Sequence, residues 1–214
     1  MFVIPLKYDG RDYIVDLVAS IRAADHKDRI VIVDSGFGNY DYIPKLHGYD
    51  TEINLVKNRH YIDGAVWWAY EHYPEEDFFY VLHDSMKVNG NLEQFKSQRF
   101  SNIMAFEGWI HDNPEQTAYI EACAAKLGFA YNVNHSGLFG ITFHCQRNVL
   151  EELEQIGLNK ILPTNRIEMQ GSERLWGFVL KHIGIDVQET AIIKEFTFPP
   201  NDPLTLQKFI INRP

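Results

Sequence analysis

Two cysteines, Cys123 and Cys145, are all that 214 residues contain, and they form neither a CxxC pair nor a metal-ligand spacing. A disulfide framework and a cysteine zinc site are thereby excluded. With no signal-peptide pattern either, a reducing, cytoplasmic setting is expected. Runs of Lys and Arg are missing, and the formal charge is −9 with a pI near 5.4. A long nucleic-acid partner is therefore not expected. No apolar stretch approaches the ~20 residues of a membrane span. The first strand is expected to begin at Phe2, leaving no room for an anchor or stalk. Repeats and low-complexity tracts are also lacking. What remains is a hydrophobic share of 45%, ample for a core.

Alternation dominates the first half. MFVIPL (1–6) reads as a strand, and Ile14, Leu17, Val18 and Ile21 mark one helical face over 11–25. RIVIVD (29–34), EINLVK (52–57) and FFYVL (78–82) read as further strands, with a helical turn near Tyr42–Leu46 and a helix from about Gly64 to Tyr73. The expected fold class is α/β, a mostly parallel central sheet flanked by helices in one domain over 1–197. Residues 198–214 read as an irregular tail or the start of a linker into a further C-terminal domain. In the second half, 101–111, 137–143 and 185–195 read as strands. Helices are expected over 114–127, 146–157 and 171–184, each followed or closed by glycine.

In an open α/β sheet, ligands bind beyond the carboxyl ends of the strands. There the sequence places Lys7 and Tyr8, then Asp34-Ser35-Gly36, then Lys57, Arg59 and Asp63-Gly64, then His83-Asp84-Ser85. An aromatic plane, acids and cations on one edge suit a nucleoside diphosphate. A ring stacks on the base, a carboxylate meets ribose or base, and cations with a helix N-terminus meet phosphate. Asp84 is poised for a metal ion. Each residue alone has a plainer reading: Asp34 and Asp84 as turn aspartates, Lys57 and Arg59 as a solvated pair. Their shared edge favours the functional one.

With these residues assembled, the chain resembles a GT-A fold glycosyltransferase that uses a nucleotide sugar. FVIPLKYDGRDYIVDLVASI resembles that fold's opening strand, Tyr-containing loop and first helix, and RIVIVDSGFGN its second strand and loop. NRHYIDGAVWWAYEHYPEEDFFYVLHDS resembles the helix leading into the Asp-x-Asp strand. SGLFGITF followed by GSERLWGFVLKHIG resembles a Gly-Gly-Leu-Phe strand and Gly-Gly-Glu helix. Size and stalkless start are similar to small viral and bacterial members, among them the glycan-building transferases of large chlorella viruses. The resemblance implies a nucleotide-sugar donor, a UDP-sugar by family tendency, and a glycan or glycoprotein acceptor. It implies that Leu6 lines the base pocket, Tyr8 stacks on the base, and Asp34 and Ser35 hold base or ribose. Gly64 lets a helix start approach the nucleotide, Ser136 and Gly137 border the donor sugar, and Glu173 is the catalytic base.

His83-Asp84-Ser85 departs from the family at the metal motif, with one acid where two are usual. A cation held by Asp84 and two phosphates is still expected, Mn²⁺ (or Mg²⁺), with His83 tilting preference toward Mn²⁺. His135 or His144 stands as a further ligand, with no choice between them in the sequence. Lys57 or Arg59 would neutralise the leaving diphosphate, and the resemblance implies inversion at the anomeric carbon. Trp109 and Trp176 suggest a sugar platform, with core packing the alternative. For Glu173 the alternative is a first-turn acid favoured by the helix dipole. A sugar nucleotidyltransferase would show a Gly-rich phosphate loop after the first strand, and a dehydrogenase GxGxxG; PLKYDGRDY has neither. The non-enzymatic rival is a nucleotide- or glycan-binding module with a partly dismantled metal site.

Overall fold

A computed structural model describes residues 1–7, 10–36, 38–57, 60–107, 113–132, 135–193 and 206–208. Four strands form first: β1 (Phe2–Leu6), β2 (Ile30–Asp34), β3 (Thr51–Leu55) and β4 (Phe78–Val81), with α1 (Tyr13–Ala23) and α2 (Tyr61–His72) among them. All four are parallel, in the order β3-β2-β1-β4. The unbroken apolar runs of β1, β2 and β4 follow from burial on both faces. Val3, Val31, Val33 and Val81 pack toward α2, whereas Phe2, Ile4, Leu6, Ile30 and Ile32 pack toward α1. The residues that mark the helical face of α1, Ile14, Leu17, Val18 and Ile21, are fully buried against the second set.

The sheet continues through β8 (Phe143–Gln146), β6 (Phe100–Glu107) and β7 (Ser136–Leu138), with β9 (Ala191–Ile193) also on β6. Strand β8 is reversed against β4, and β6 is reversed again, so β6 and β9 run with the first four strands. The result is the α/β, mostly parallel sheet that the alternation implied. Helices α3 (Pro114–Lys126), α4 (Arg147–Ile156) and α5 (Arg166–His182) complete the layers. Strand β5 (Met86–Val88) pairs antiparallel with β10 (Leu206–Lys208), so part of the expected irregular tail is a strand. Among the described residues, no helix is long and apolar enough to cross a membrane.

Three boundaries differ from expectation. The strand read over 137–143 is interrupted. From Ala105 to Asn102 is three steps along β6, but the facing residues, Leu138 and Phe143, are five apart. The extra chain forms a turn over Phe139–Ile141, where Gly140 takes φ of 62° and Ile141 of 48°. Helix α5 begins at Arg166, not Gly171. Asn165 caps it by accepting from the Glu168 N–H at 3.0 Å, while the Glu168 carboxylate accepts from the Thr164 N–H at 2.7 Å. This is a variant of the capping box, in which the acid reaches the amide one residue ahead of the cap. Finally, α2 begins at Tyr61, so the Gly64 N–H already bonds the His60 carbonyl at 3.0 Å.

Glycine spacing sets how closely α5 approaches the sheet. A Cβ on Gly177 would lie 1.9 Å from the Ser136 carbonyl oxygen, and one on Gly137 2.3 Å from the Phe106 ring. The helix therefore crosses β7 at backbone contact. Gly137 is explained by this packing whatever else it borders.

Candidate active site

The register brings Leu6, Asp34 and Leu55 level at the carboxyl ends of β1, β2 and β3. Backbone bonds lace that edge: Ser35 N–H to the Leu6 carbonyl at 2.9 Å, and Val56 N–H to the Asp34 carbonyl at 2.8 Å. Leu6 and Asp34 are buried, Ser35 is half-buried and Lys57 is exposed just beyond β3. Tyr8, Arg59 and Trp109 lie outside the described residues. The Asp34 carboxylate already has work within the fold. Its Oδ1 accepts from the Gly36 N–H at 2.9 Å and its Oδ2 from the buried Tyr42 hydroxyl. A carboxylate has acceptor capacity beyond two bonds, so a ribose hydroxyl can still be met, by an acid held rigid from both sides.

On the same edge, β4 ends in a turn, with the Met86 N–H returning to the His83 carbonyl at 3.1 Å. Asp84 and Ser85 are buried within it. His83 Nε2 contacts the Gly140 carbonyl oxygen. A carbonyl only accepts, so Nε2 carries the proton and Nδ1 is the basic nitrogen of the neutral ring. A buried carboxyl beside an imidazole whose tautomer is fixed by a backbone carbonyl is a donor set that suits a divalent cation. The turn at Gly140 thus orients the residue before Asp84.

Opposite these, α5 brings Glu173 to the edge. Ser136 pairs with Glu107 at the carboxyl end of β6, and Gly177 abuts Ser136. Glu173 is one helical turn before Gly177, on the face of α5 that packs on Ser136, and is half-buried. Because α5 starts at Arg166, Glu173 is two turns inside the helix. The dipole alternative fails for it, and Glu168 fills the first turn instead. Gly64 needs a related correction: its amide is spent on the His60 carbonyl, so it is not an open donor at the α2 N-terminus.

No family model matches the chain, and no curated protein does. Among solved structures, galactosyltransferase LgtC, determined in complex with donor and acceptor sugar analogs, is similar at 11% identity with a TM-score of 0.49. That similarity covers 82% of this chain and 71% of that one.

Three expected residues lie elsewhere. Trp176 is fully buried and its Nε1–H donates to Asp63 Oδ1 at 2.8 Å, so no ring face is open to a sugar. His144 is level with Tyr80 inside the sheet, ringed by Phe78, Tyr80 and Phe95; burial pushes its pKa down to about 3. His135 donates from Nδ1 to the Asn132 carbonyl at 2.9 Å and packs against Tyr131 and Phe178. It lines a cavity of about 370 Å³ with Asn132, Phe178, Lys181 and His182, which contains none of the strand-end residues.

A group that could hold a metal by spacing is His26, Asp28 and Glu93, whose ligand atoms lie within 4.8 Å of one another. It stands at the opposite edge, just ahead of β2. Lys96 already bridges its carboxylates, 2.9 Å from each. His26 Nε2 accepts from the Leu92 N–H at 3.0 Å, so Nδ1 bears the proton in the neutral ring. A cation there would have to displace both.

Sequence reading passed over Asp63 except as part of a helix start. It is fully buried in the first turn of α2, and desolvation pushes its pKa up to about 6, against the opposing bonds from Trp176 and Ser172. A folded value above the unfolded one means stability that is full below the ordinary aspartate pKa and lost as pH rises through about 6. At neutral pH the buried charge costs on the order of 3 kcal/mol. Asp63→Asn is therefore expected to be the more stable protein in urea at pH 7.5, with the advantage gone at pH 4.

Proposed function

We propose that this chain is a glycosyltransferase that moves a sugar from a nucleoside-diphosphate donor, a UDP-sugar, to a glycan or glycoprotein hydroxyl. What supports the reading is that Leu6, Asp34, Ser35, Lys57, His83 and Asp84 end or follow β1 to β4, while Ser136 is level with the carboxyl end of β6 and α5, which carries Glu173, packs on it. Asp34 and Ser35 hold ribose or base against Leu6. The N-terminal turn of α2 faces the phosphates, and Lys57 or Arg59 balances charge growing on the leaving diphosphate. Mn²⁺ (or Mg²⁺), held by Asp84 with His83 beside it, would supply further positive charge there. Glu173 accepts the proton of the acceptor hydroxyl as that oxygen attacks the anomeric carbon from the side away from the diphosphate. With Glu173 as base, the transfer inverts the anomeric centre, as the resemblance implies.

The single acid in the His83–Ser85 turn favours one second reading, a nucleotide- or glycan-binding module without turnover. Incubating the chain with a panel of nucleotide sugars and measuring diphosphate release separates the two. Release that requires a divalent cation is the expected result. Metal-independent nucleotide binding without release from any donor would leave the module.

A further inference from the structure

Asp63 joins two elements that both reach the candidate site. It sits in the first turn of α2, behind the chain that follows β3, and both of its side-chain partners are on α5. Those partners, Ser172 and Trp176, are one helical turn apart, and Glu173 lies between them in the chain. Ser172 Oγ has one hydrogen and two acceptors within reach, Asp63 Oδ2 at 3.1 Å and the Met169 carbonyl at 2.7 Å. If the hydroxyl donates along the shorter contact, the Asp63–Ser172 bond is complete only when Asp63 carries a proton and donates it to Oγ. When that proton leaves, the hydroxyl must swing from Met169 to the carboxylate. The Trp176 indole donates to Oδ1 in both states.

We propose that Asp63 is a positioning residue: its carboxyl clamps α5 to the first turn of α2, and its proton sets the direction of the Ser172 hydrogen bond and with it the placement of Glu173. The effect on transfer rests on the reading of Glu173 as base; the clamp itself does not. Burial keeps the proton on Asp63 up to a pH of about 6, which puts the change within the working range of an enzyme. The other titratable groups that interact with Asp63 are His60, ahead of α2, and Tyr119 on α3, which burial keeps neutral. From α5 the facing groups are the Ser172 hydroxyl and the Trp176 indole, which stacks on Trp67.

The test follows the Trp176 indole N–H by two-dimensional NMR of the whole chain from pH 4.5 to 8, alongside kcat and KM over the same range. The wild-type resonance is expected to move with a midpoint near 6. Asp63→Asn, whose amide donates to Ser172 as the protonated acid does, should abolish that movement. Ser172→Ala, which removes a donor to the carboxylate, should raise the midpoint. The wild-type kcat should show an inflection at the indole midpoint, lost in Asp63→Asn with KM changed by less than about twofold. A wild-type indole that does not titrate, or one that titrates unchanged in Asp63→Asn, overturns the clamp. An indole that titrates without any kcat inflection overturns the positioning role. Turnover absent with every donor, despite a titrating indole, overturns the transferase reading and the effect on Glu173, and leaves the clamp standing.

Discussion

Glu173→Gln is expected to lower the rate of sugar transfer by about 10²- to 10⁴-fold, the usual contribution of a positioned general base. Affinity for the nucleotide alone should stay within about twofold. The two results separate because Glu173 stands on the α5 face beside Ser136, whereas the residues assigned to the nucleotide end β1 to β4. Glutamine keeps the shape of the half-buried side chain and removes its charge and its capacity to take a proton. A merely structural glutamate would give a variant with near-normal turnover and a lower melting temperature. Transfer and binding by calorimetry on the same preparation make the comparison. Turnover within a few-fold of wild type would remove Glu173 as base.

Asp84→Asn is expected to abolish the gain in nucleotide affinity that a divalent cation brings. The dissociation constant for UDP with Mn²⁺ present should rise at least about 10- to 100-fold, since loss of a ligand costs no less than loss of an outer partner. With the cation chelated, wild type and variant should bind alike. The reason is geometric. Asp84 is buried in a turn that β4 delivers to the ligand edge, and His83 beside it is held by the Gly140 carbonyl. His83→Ala should lie between the two, because it keeps the charge and loses the imidazole. A metal effect that survives Asp84→Asn would move the cation to another place, with His26, Asp28 and Glu93 the group to examine.

Much of the fold was legible because its signals are local. The apolar runs of β1, β2 and β4 and the i, i+3, i+4, i+7 face of α1 need only neighbouring residues to be read. The edge followed from them, since parallel strands joined by helices end on one side. Features that depend on distant partners were not legible. Trp176 looks like a sugar platform in the sequence, but Asp63, 113 residues away, takes its N–H into the core. The turn role read for Asp34 appears in its bond from the Gly36 N–H, but the buried Tyr42 hydroxyl that also holds it was not legible. The start of α5 was a local signal passed over: Asn165 caps the Glu168 N–H and Glu168 reaches back to Thr164, while Gly171 drew attention as a boundary. Gly171 is instead a site of close approach, where a Cβ would meet Tyr119 of α3 at 2.8 Å. Gly140 hides in an apolar run, and its positive φ breaks the strand that the pattern implied.

The decisive measurement is the position of the diphosphate in crystals of the chain grown with uridine diphosphate and Mn²⁺. The account places it across the ends of β1, β2 and β4, its phosphates sharing a cation with the carboxyl of Asp84 and its ribose within reach of Asp34. A nucleotide seated instead in the cavity of Asn132, His135 and Lys181, or a cation bound only at His26, Asp28 and Glu93, would contradict it.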